Sequence, residues 1–337
     1  MKSRARKLQE SRQVVLGIDI GGTNTKFGYV DRKGKCLANA SMPTNAHGPA
    51  AQFFKRLRTE AGRLFSRMPK GYEVIGIGIG APNANYYTCT IEHPPNLSWK
   101  VVDVRAELGK YYGVPLAITN DANAAALGEM LFGAARGMKN FIEITLGTGL
   151  GSGIVANGEL IYGADGFAGE IGHTIVDPNG RLCGCGKRGC LEAYCSATGL
   201  CRTVQELICN STESSSLRKV SYSDLTAEMV FKAAQKGDRI AQQAFESCGN
   251  TLGMKLADSI AHLSPEAIVL SGGMAAAGGL IFEPAKRSLE NHVFPIFRNK
   301  VRILPSKLTG LSAAILGAGA LIWKVLDKQQ PGQADAP

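Results

Sequence analysis

The sequence lacks the long apolar runs of membrane proteins. No segment of its 337 residues approaches the roughly 20 apolar positions that a membrane-spanning helix needs. No apolar stretch follows the basic start before the first strand-like run, so a signal peptide is not expected. A bias towards disorder is also absent, because hydrophobic residues make up 45% of the chain and charged residues 20%. These absences predict a cytoplasmic protein with no membrane partner, long enough for two domains that each bury a core.

The cysteines lack the pattern of a disulfide framework. There are 9, an odd number, and no secretory signal accompanies them, which disfavours pairing. Cys183, Cys185 and Cys190 are clustered and need an explanation of their own. Four others are scattered, and we expect them to be small buried residues: Cys36, Cys89, Cys209 and Cys248.

The formal net charge is +10, and basic residues crowd the start of the chain. One interpretation of this tail is a contact with nucleic acid. The other, which we favour, is a solvated tail on an enzyme that handles anionic phosphates, so no nucleic-acid partner is predicted. The residues concerned are Lys2, Arg4, Arg6, Lys7 and Arg12.

Two segments of the chain begin in the same way. The apolar run Val14–Ile20 is followed by Gly21-Gly22-Thr23 and a short β-rich run. The run Phe141–Leu146 is followed by Gly147-Thr148-Gly149 and then by Gly153–Val155. Each segment predicts two strands joined by a glycine-rich hairpin tip. The repetition suggests two related α/β domains.

Strand and helix patterns alternate along the rest of the chain, which favours an α/β fold with sheets covered on both sides. Further strands are predicted at Val74–Ile79, Leu116–Thr119, Ala267–Ser271 and Val301–Leu304. Helices are predicted at Ala50–Arg67, Val104–Tyr112, Ala122–Phe132, Glu192–Leu207, Thr226–Gln235, Arg239–His262 and Ser312–Leu326. We expect a small first domain over residues 1–119, completed by the last helix over 312–327, and a large domain over 120–311.

The first glycine turn has the composition of a phosphate-binding loop. Glycines let backbone N–H groups approach a phosphate closely, and neighbouring hydroxyl, amide and ammonium groups add donors. Asp19, at the end of the strand, suits a water-mediated Mg²⁺ contact. A single glycine turn is weak support, because hairpins often use Gly-Gly. The residues predicted to contact the nucleotide are Asp19, Gly21, Gly22, Thr23, Asn24 and Lys26.

Two more glycine motifs strengthen the nucleotide prediction. Thr148 and Gly149 lie in the second hairpin tip, so two loops are available to bind a polyphosphate. Neither loop has the Lys-Ser/Thr ending of a P-loop or the strand-to-helix setting of a dinucleotide fold. Gly272 and Gly273 follow the strand Ala267–Ser271, where the absence of side chains would let an adenine lie against the backbone.

Asp121 follows a predicted strand and precedes a predicted helix. One interpretation is an N-cap, because aspartate is favoured there and its charge suits the helix dipole. The other is a general base that takes a proton from a hydroxyl group as it attacks phosphorus. The two roles are compatible, and the flanking glycine loops favour the base.

A metal site is predicted from the spacing His-x9-Cys-x-Cys-x4-Cys, within the loop 173–190. Three thiolates and one imidazole form a complete tetrahedral shell, which is typical of structural Zn²⁺. Free cysteines beside an unrelated histidine are the alternative, and redox chemistry is disfavoured because no Cys-x-x-Cys is present. The predicted ligands are His173, Cys183, Cys185 and Cys190.

Five motifs occur in order: Asp-x-Gly-Gly-Thr, Asn-Asp-x-Asn-Ala, Leu-Gly-Thr-Gly-x-Gly, Gly-Glu-x-Gly-His and Cys-x-Cys-Gly-x-x-Gly-Cys-x-Glu. From Val14 to the last helix, the chain resembles the ROK family of repressors, open reading frames and sugar kinases. The resemblance implies a two-domain actin-like ATPase or hexokinase (ribonuclease H-like) fold with an interdomain cleft for the sugar. It also implies ATP and Mg²⁺ as cofactors and a homo-oligomer, a dimer or a tetramer. The positions that match sugar-contacting residues, with Asp121 as the base, are Asn120, Asp121, Glu170, His173 and Glu192.

The resemblance narrows to the glucokinase branch at Pro95–Trp99, where Asn96 is expected near the sugar. It therefore implies ATP-dependent phosphorylation of glucose to glucose 6-phosphate. One departure is Asn83, which follows Gly80-Ala81-Pro82 where the family usually has glycine. Asparagine tolerates a left-handed backbone, so the turn is expected to survive. We include Gly80, Asn83 and Asn96 among the predicted sugar-binding residues.

Three alternatives stay open at this point. In the first, the substrate is N-acetylmannosamine, N-acetylglucosamine, mannose or fructose instead of glucose. This alternative stays open because sugar epimers differ by only one hydroxyl. The phosphate donor is polyphosphate instead of ATP. The protein is a sugar-responsive repressor, which we disfavour because residues 1–13 are too few for a helix-turn-helix domain before the first strand.

Overall fold

A computed structural model of the chain describes residues 12–308, 310 and 312–329. The basic residues Lys2, Arg4, Arg6 and Lys7, on which the interpretation of the tail rests, lie outside the described residues. The described parts of Met1–Gly137, Leu160–Gly169 and Ser306–Pro337 form one compact unit, unit 1. Met138–Glu159 and Glu170–Pro305 form the other, unit 2.

The described strands and helices alternate along most of the chain. The strands are β1 (Gln13–Ile20), β2 (Asn24–Asp31), β3 (Cys36–Pro43), β4 (Glu73–Gly80), β5 (Ala84–Asn85), β6 (Thr90–Glu92), β7 (Val101–Asp103), β8 (Leu116–Thr119), β9 (Phe141–Leu146), β10 (Leu150–Ala156), β11 (Glu159–Leu160), β12 (Ala267–Ser271) and β13 (Arg302–Pro305). The α-helices are α1 (Ala50–Ser66), α2 (Lys110–Tyr112), α3 (Asp121–Phe132), α4 (Ala197–Cys209), α5 (Ala227–Gln235), α6 (Arg239–Leu263), α7 (Gly279–His292) and α8 (Ser312–Gln329).

Unit 1 is built on a sheet with strand order β3-β2-β1-β4-β8. The β1–β2 pair is the predicted antiparallel hairpin, whereas β4 runs parallel to both β1 and β8. Strand β1 is almost continuously apolar and buried because helices and loops cover both faces of the sheet. The short strands β5, β6 and β7 form a separate antiparallel sheet in the same unit.

Helix α8 lies directly on the backbone of β1 and β4. A Cβ atom at Gly17 would collide with the carbonyl oxygen of Ile315, and one at Gly78 with the carbonyl oxygen of Ala318. The central half of the helix, Ile315–Trp323, is buried, as its apolar composition predicts. Glycine is therefore required where this helix crosses the sheet, because any side chain would push it away.

Unit 2 contains a second sheet with strand order β11-β10-β9-β12-β13. Strands β9 and β10 form the second predicted antiparallel hairpin, and β12 runs parallel to β9 and β13. Helices α4 to α7 supply much of the core that covers this sheet. Both units thus begin with a glycine-tipped antiparallel hairpin, as the repeated pattern predicts. The first strand of each hairpin also pairs in parallel with a later strand of the same sheet.

Several predicted elements differ from the structure. The helix predicted at Glu192–Leu207 begins only at Ala197, because Ser196 caps it and Leu191–Ala193 forms a 3-10 turn. The helix predicted at Val104–Tyr112 is mostly a π-helical turn at Arg105–Gly109. Helix α7 was not predicted, since Gly278, Gly279 and Pro284 interrupt its pattern.

Two further expectations concern the burial of the scattered cysteines and the boundary between the two domains. Cys209 is exposed and Cys36 is half-buried, so the expectation of buried cysteines is wrong for both, whereas Cys89 and Cys248 are buried. Helix α3 packs against α8 within unit 1, although the predicted boundary at residue 119 places α3 in the large domain. That boundary stays a prediction, because contacts alone do not define which segments fold together.

None of the described helices combines the length and apolar character that crossing a membrane takes.

We predict that Gly78→Ala destabilises unit 1, because the new methyl group displaces α8 from the sheet. Overpacking of this kind typically costs about 1–3 kcal/mol in the free energy of unfolding. Gly62→Ala is the matched control, since nothing lies within 4 Å of a Cβ at this position in α1. Alanine there should be neutral or stabilising by up to about 1 kcal/mol. Chemical denaturation measures both, and equal stability of the two variants would contradict the close-packed seam.

Candidate functional site

The carboxyl ends of three parallel strands lie side by side in unit 1. The strand register pairs Asp19 of β1 with Gly80 of β4, and Gly80 with Thr119 of β8. Asn120 and Asp121 follow β8 directly. A Cβ atom at Gly80 would lie 3.5 Å from Cα of Asp121 and 4.0 Å from Oδ1 of Asp19. The structure thus brings four predicted site residues together at the edge where α/β sheets commonly bind ligands.

The start of helix α3 orients the two polar residues after β8. Asn120 is the N-cap, and its Oδ1 accepts a hydrogen bond from the Ala122 N–H at 2.8 Å. Asp121 is the first helical residue, and its Oδ1 accepts from the same N–H at 2.9 Å. The interpretation of Asp121 as the N-cap is therefore wrong by one residue. Asp121 is accessible to solvent and held by the helix terminus, where its negative charge is favoured.

The pKa values of both carboxylates at this edge are raised above the ordinary aspartate value. The pKa of Asp19 is raised from 3.8 to about 6; burial is the largest cause, the nearby Asp121 carboxylate adds to it, and the Lys26 ammonium opposes both. The pKa of Asp121 is also raised, mainly because surrounding protein excludes water from its charged form, whereas the Ala122 N–H lowers it. Although solvent reaches Asp121, this carboxylate is a stronger base than an ordinary aspartate.

The first glycine loop, residues 21–24, is fixed by Thr44, which follows β3. Gly21 N–H donates to the Asn24 carbonyl at 3.1 Å, closing the hairpin tip. The Thr44 hydroxyl donates to the Gly21 carbonyl at 2.7 Å, and the Thr44 N–H donates to the Thr23 carbonyl at 2.9 Å. Thr23 and Asn24 remain exposed. Sequence reasoning missed Thr44, because nothing local links it to the loop.

The two asparagines of the β5–β7 region have different settings. Asn96 lies against the first glycine loop, because a Cβ at Gly22 would be 2.8 Å from Cβ of Asn96. Asn83 has the expected left-handed backbone, with φ of 50°. Its side-chain amide donates to the His93 carbonyl at 3.0 Å. The structure therefore gives Asn83 a role in the local turn and brings Asn96 to the loop.

The second glycine loop, residues 147–149, is held on two sides within unit 2. The Gly147 N–H donates to the Gly149 carbonyl at 3.0 Å. At the start of α4, the Ala197 N–H donates to the Gly147 carbonyl at 2.9 Å, and the Thr198 hydroxyl donates to the Thr148 carbonyl at 3.0 Å. The loop is thus held through its own backbone carbonyl and N–H groups, and the Thr148 side chain stays exposed.

The third glycine motif lies beside the second loop. Gly272 has φ of 85°, and a Cβ there would collide with the backbone of Leu146, immediately before the loop. Gly273 has open space around its Cβ position. Unit 2 therefore joins two of the predicted nucleotide-contacting motifs into one surface.

A buried carboxylate lies close to these two motifs in sequence and in the sheet. Glu143 is 0% exposed and accepts hydrogen bonds from the hydroxyl groups of Thr145, at 3.0 and 3.1 Å, and of Ser271. Sequence reasoning missed it, and the only available signal is one acidic residue in the apolar strand β9. The carboxylate links β9 and β12 next to Gly272.

The predicted metal ligands converge within unit 2. One ligand atom from each of His173, Cys183, Cys185 and Cys190 lies within 4.8 Å of all the others. Sγ of Cys185 is 3.6 Å from Sγ of Cys190, and Sγ of Cys183 is 3.8 Å from Nδ1 of His173. Sulfur atoms bound to zinc at about 2.3 Å in a tetrahedron lie about 3.8 Å apart. The donor set and its spacing therefore fit a four-coordinate Zn²⁺.

The loop that carries the cysteines turns sharply. Gly189 has φ of 75°, and a Cβ there would collide with the backbone of Asp177. Cys183 and Cys190 are buried, whereas Cys185 is exposed. Because Nδ1 of His173 faces the sulfur atoms, Nε2 is the ring nitrogen left for a contact with a ligand.

Two predicted sugar-contacting glutamates lie next to the cluster. The His173 N–H donates to the Glu170 carbonyl at 3.1 Å in a 3-10 turn, so these residues are neighbours. Glu192 accepts from the Leu150 N–H at 2.9 Å, and its other oxygen lies 3.6 Å from Sγ of Cys183. Glu170, His173 and Glu192 therefore all lie near the predicted metal site in unit 2.

Comparisons with known proteins agree over most of the chain. The ROK family model matches residues 15–325. A glucokinase from Halalkalibacterium halodurans is 36% identical over 321 residues, which is 94% of this chain and 97% of that protein. The xylose repressor of Bacillus subtilis is 32% identical over 309 residues, covering 91% of this chain and 76% of the repressor.

Solved structures include a ROK family glucokinase from Streptomyces griseus in complex with glucose and AMPPNP. It has a TM-score of 0.78 and 32% identity, and the match covers 91% of this chain and 98% of that one. The expected two-domain actin-like or hexokinase fold class is confirmed by this similarity.

We predict that Asp121→Asn lowers the pKa of Asp19 from about 6, because it removes one of the two causes that raise it. The pKa stays above the ordinary value of 3.8, since burial remains. The native state holds this proton more tightly than the unfolded chain. The carboxyl therefore favours the native state fully below pH 3.8, and this contribution is lost as the pH rises through about 6.

NMR titration of isotope-labelled aspartate carboxyl groups measures the shift. Asp258→Asn is the control, because Asp258 is paired with Lys255 on α6 and not with Asp19. An Asp19 titration that is the same in both variants would show that the two site carboxylates do not interact.

Proposed function

Because the chain belongs to the ROK family, we propose that it is an ATP-dependent sugar kinase that converts glucose to glucose 6-phosphate. The glucokinase from Halalkalibacterium halodurans and the Streptomyces griseus structure with glucose and AMPPNP support this proposal. The observation that carries it is Asp121, a carboxylate of raised pKa at the carboxyl edge of the unit 1 sheet. ATP and Mg²⁺ are the proposed cofactors.

Asp121 is the proposed general base. Its carboxylate accepts the proton of the sugar 6-hydroxyl while that oxygen forms a bond to the γ-phosphorus and the bond between phosphorus and the ADP oxygen breaks. The raised pKa makes Asp121 a better proton acceptor than an ordinary aspartate. Asp19 is ionised above about pH 6 and is proposed to hold Mg²⁺ through water.

The remaining proposed ligand contacts form two groups, those to the phosphates of the nucleotide and those to the hydroxyl groups of the sugar. Backbone N–H groups of both glycine loops suit the phosphates, since phosphoryl transfer depends chiefly on positioning and charge neutralisation. Carboxylates suit sugar hydroxyls, because they are strong acceptors. Proposed nucleotide contacts are Asp19, Gly21, Gly22, Thr23, Asn24, Lys26, Thr148, Gly149, Gly272 and Gly273. Proposed sugar contacts are Gly80, Asn83, Asn96, Asn120, Asp121, Glu170, His173 and Glu192.

Zinc is the proposed occupant of the site formed by His173, Cys183, Cys185 and Cys190. The spacing of the sulfur and nitrogen atoms supports it. Zinc with four protein ligands has no open position, so its role would be structural. Ligation through Nδ1 would fix the tautomer of His173 and would leave its Nε2–H as a donor to a sugar hydroxyl.

A sugar-responsive repressor is the second candidate, favoured by the 32% identity to the Bacillus subtilis xylose repressor. Kinases of N-acetylmannosamine, N-acetylglucosamine, mannose or fructose share the same chemistry at Asp121 and differ only in sugar contacts. A homo-oligomer, a cytoplasmic location and the preference for ATP over polyphosphate stay predictions.

We predict that the protein releases ADP from Mg-ATP with glucose as the preferred sugar. A coupled assay with hexoses and N-acetylhexosamines measures this, and polyphosphate in place of ATP tests the donor. Preference for another sugar would correct the substrate and leave the kinase mechanism. Silence with every sugar and either donor would contradict the kinase proposal and favour the repressor.

In the same assay, Asp121→Asn should lower the turnover number by roughly 10²–10⁴, because the amide cannot accept the proton. Glucose binding, measured by calorimetry, should be retained. Asp258→Asn serves as the control and should turn over normally, since this exposed residue lies on α6. Turnover of Asp121→Asn close to that of the control would rule out Asp121 as the base.

We predict one zinc ion for each chain in protein purified under reducing conditions, measured by native mass spectrometry. Cys185→Ser should lose most of the zinc, because a serine hydroxyl replaces a thiolate ligand. Cys209→Ser is the matched control, since Cys209 is equally exposed and outside the cluster. Zinc retained equally by both variants, or absent from the parent chain, would contradict the site.

A further inference from the structure

The cysteine-bearing loop, residues 181–190 and here named the Cys loop, shares a carboxylate with the second glycine loop. Glu192 follows the Cys loop, and its Oε2 accepts the Leu150 N–H at 2.9 Å. Its Oε1 lies 3.6 Å from Sγ of Cys183. One half-buried side chain therefore touches both a candidate metal ligand and the residue that directly follows the second glycine loop.

Arg181 provides a second connection, from the Cys loop to helix α4. Its guanidinium forms a bidentate pair with Glu206, through Nε at 2.8 Å and Nη2 at 2.5 Å. It also donates to the Gly199 carbonyl at 3.1 Å and to the Thr203 hydroxyl at 2.9 Å. The side chain is only 12% exposed, and lysine has no planar fork that reproduces these bonds.

Arg181 also contacts the turn before α4. Its Nη1 donates to the Ala193 carbonyl at 2.9 Å, and the guanidinium lies 4.5 Å from the centre of the Tyr194 ring. The Gly189 N–H donates to the Arg181 carbonyl at 2.8 Å, so the two ends of the Cys loop are tied together. Ordering of the loop therefore also orders the approach to α4.

The start of α4 completes the path. Ala197 and Thr198 hold the carbonyl groups of Gly147 and Thr148 in the second glycine loop. The Cys loop thus reaches this loop twice, through Glu192 at Leu150 and through Arg181 and α4 at Gly147 and Thr148. All of these contacts lie within unit 2.

We propose that the Cys loop and the second glycine loop form one coupled element, so that metal bound at the Cys loop strengthens nucleotide binding in unit 2. A glycine loop that is already ordered loses less conformational freedom when it binds a phosphate. The inference rests on the proposed function, because it requires the nucleotide to bind at this loop. Coupling is reciprocal, so bound nucleotide must also raise the affinity for the metal by the same factor.

Calorimetric binding of ADP without sugar tests the coupling. Protein loaded with one zinc equivalent should bind ADP at least about 5-fold more tightly than protein depleted by a chelator, the lower end of typical coupling between sites. No ADP binding by the loaded protein would contradict the proposed nucleotide site itself. Equal affinity of loaded and depleted protein would overturn the coupling and leave the kinase proposal intact.

Arg181→Lys tests the connection through Arg181 without removing the metal. Circular dichroism shows whether metal depletion unfolds the protein. If it does, this variant decides whether the two loops are coupled. The zinc-loaded variant should bind ADP more weakly than the parent and release more zinc to a competing chromogenic chelator at equilibrium, and ADP should reduce that release less. Arg287→Lys is the matched control, since Arg287 also pairs with a glutamate in unit 2 but on α6. ADP affinity and zinc release that are the same in Arg181→Lys and Arg287→Lys would overturn the proposal.

Discussion

Strand β4 lies between β1 and β8, and its backbone hydrogen bonds to both determine which residues share the carboxyl edge of the unit 1 sheet. A slip of one residue would turn each side chain to the opposite face of the sheet. Asp19 would then no longer be opposite Gly80, and Asp121 would begin its helix elsewhere. The proposed chemistry therefore depends first on strand register and only then on the identity of the carboxylates.

This register has an electrostatic consequence. Two carboxylates held close together at one edge raise the energy of the doubly ionised state, and the Lys26 ammonium offsets part of that cost. A divalent cation would offset more of it. The two negative charges thus favour a positively charged cofactor at this edge, and the repulsion makes Asp19 a better proton acceptor.

Local patterns predicted the parts of the site that local chemistry determines. The glycine tips follow from neighbouring residues, and the metal ligands follow from the spacing of Cys183, Cys185 and Cys190 in one loop. Thr44 and Arg181 could not be predicted, because their partners are distant in sequence and only the folded chain brings them together. The cap at Asn120 was misplaced by one residue, since adjacent asparagine and aspartate carry the same capping signal.

The seam between α8 and the sheet of unit 1 has no side-chain layer at Gly78, so helix backbone and strand backbone meet directly. Most packed interfaces adapt to a changed residue by shifting rotamers of the side chains between them. Backbone against backbone offers no rotamer to shift. In evolutionary terms, substitutions at Gly78 have almost no neutral path, so the seam restricts which sequences can build this sheet.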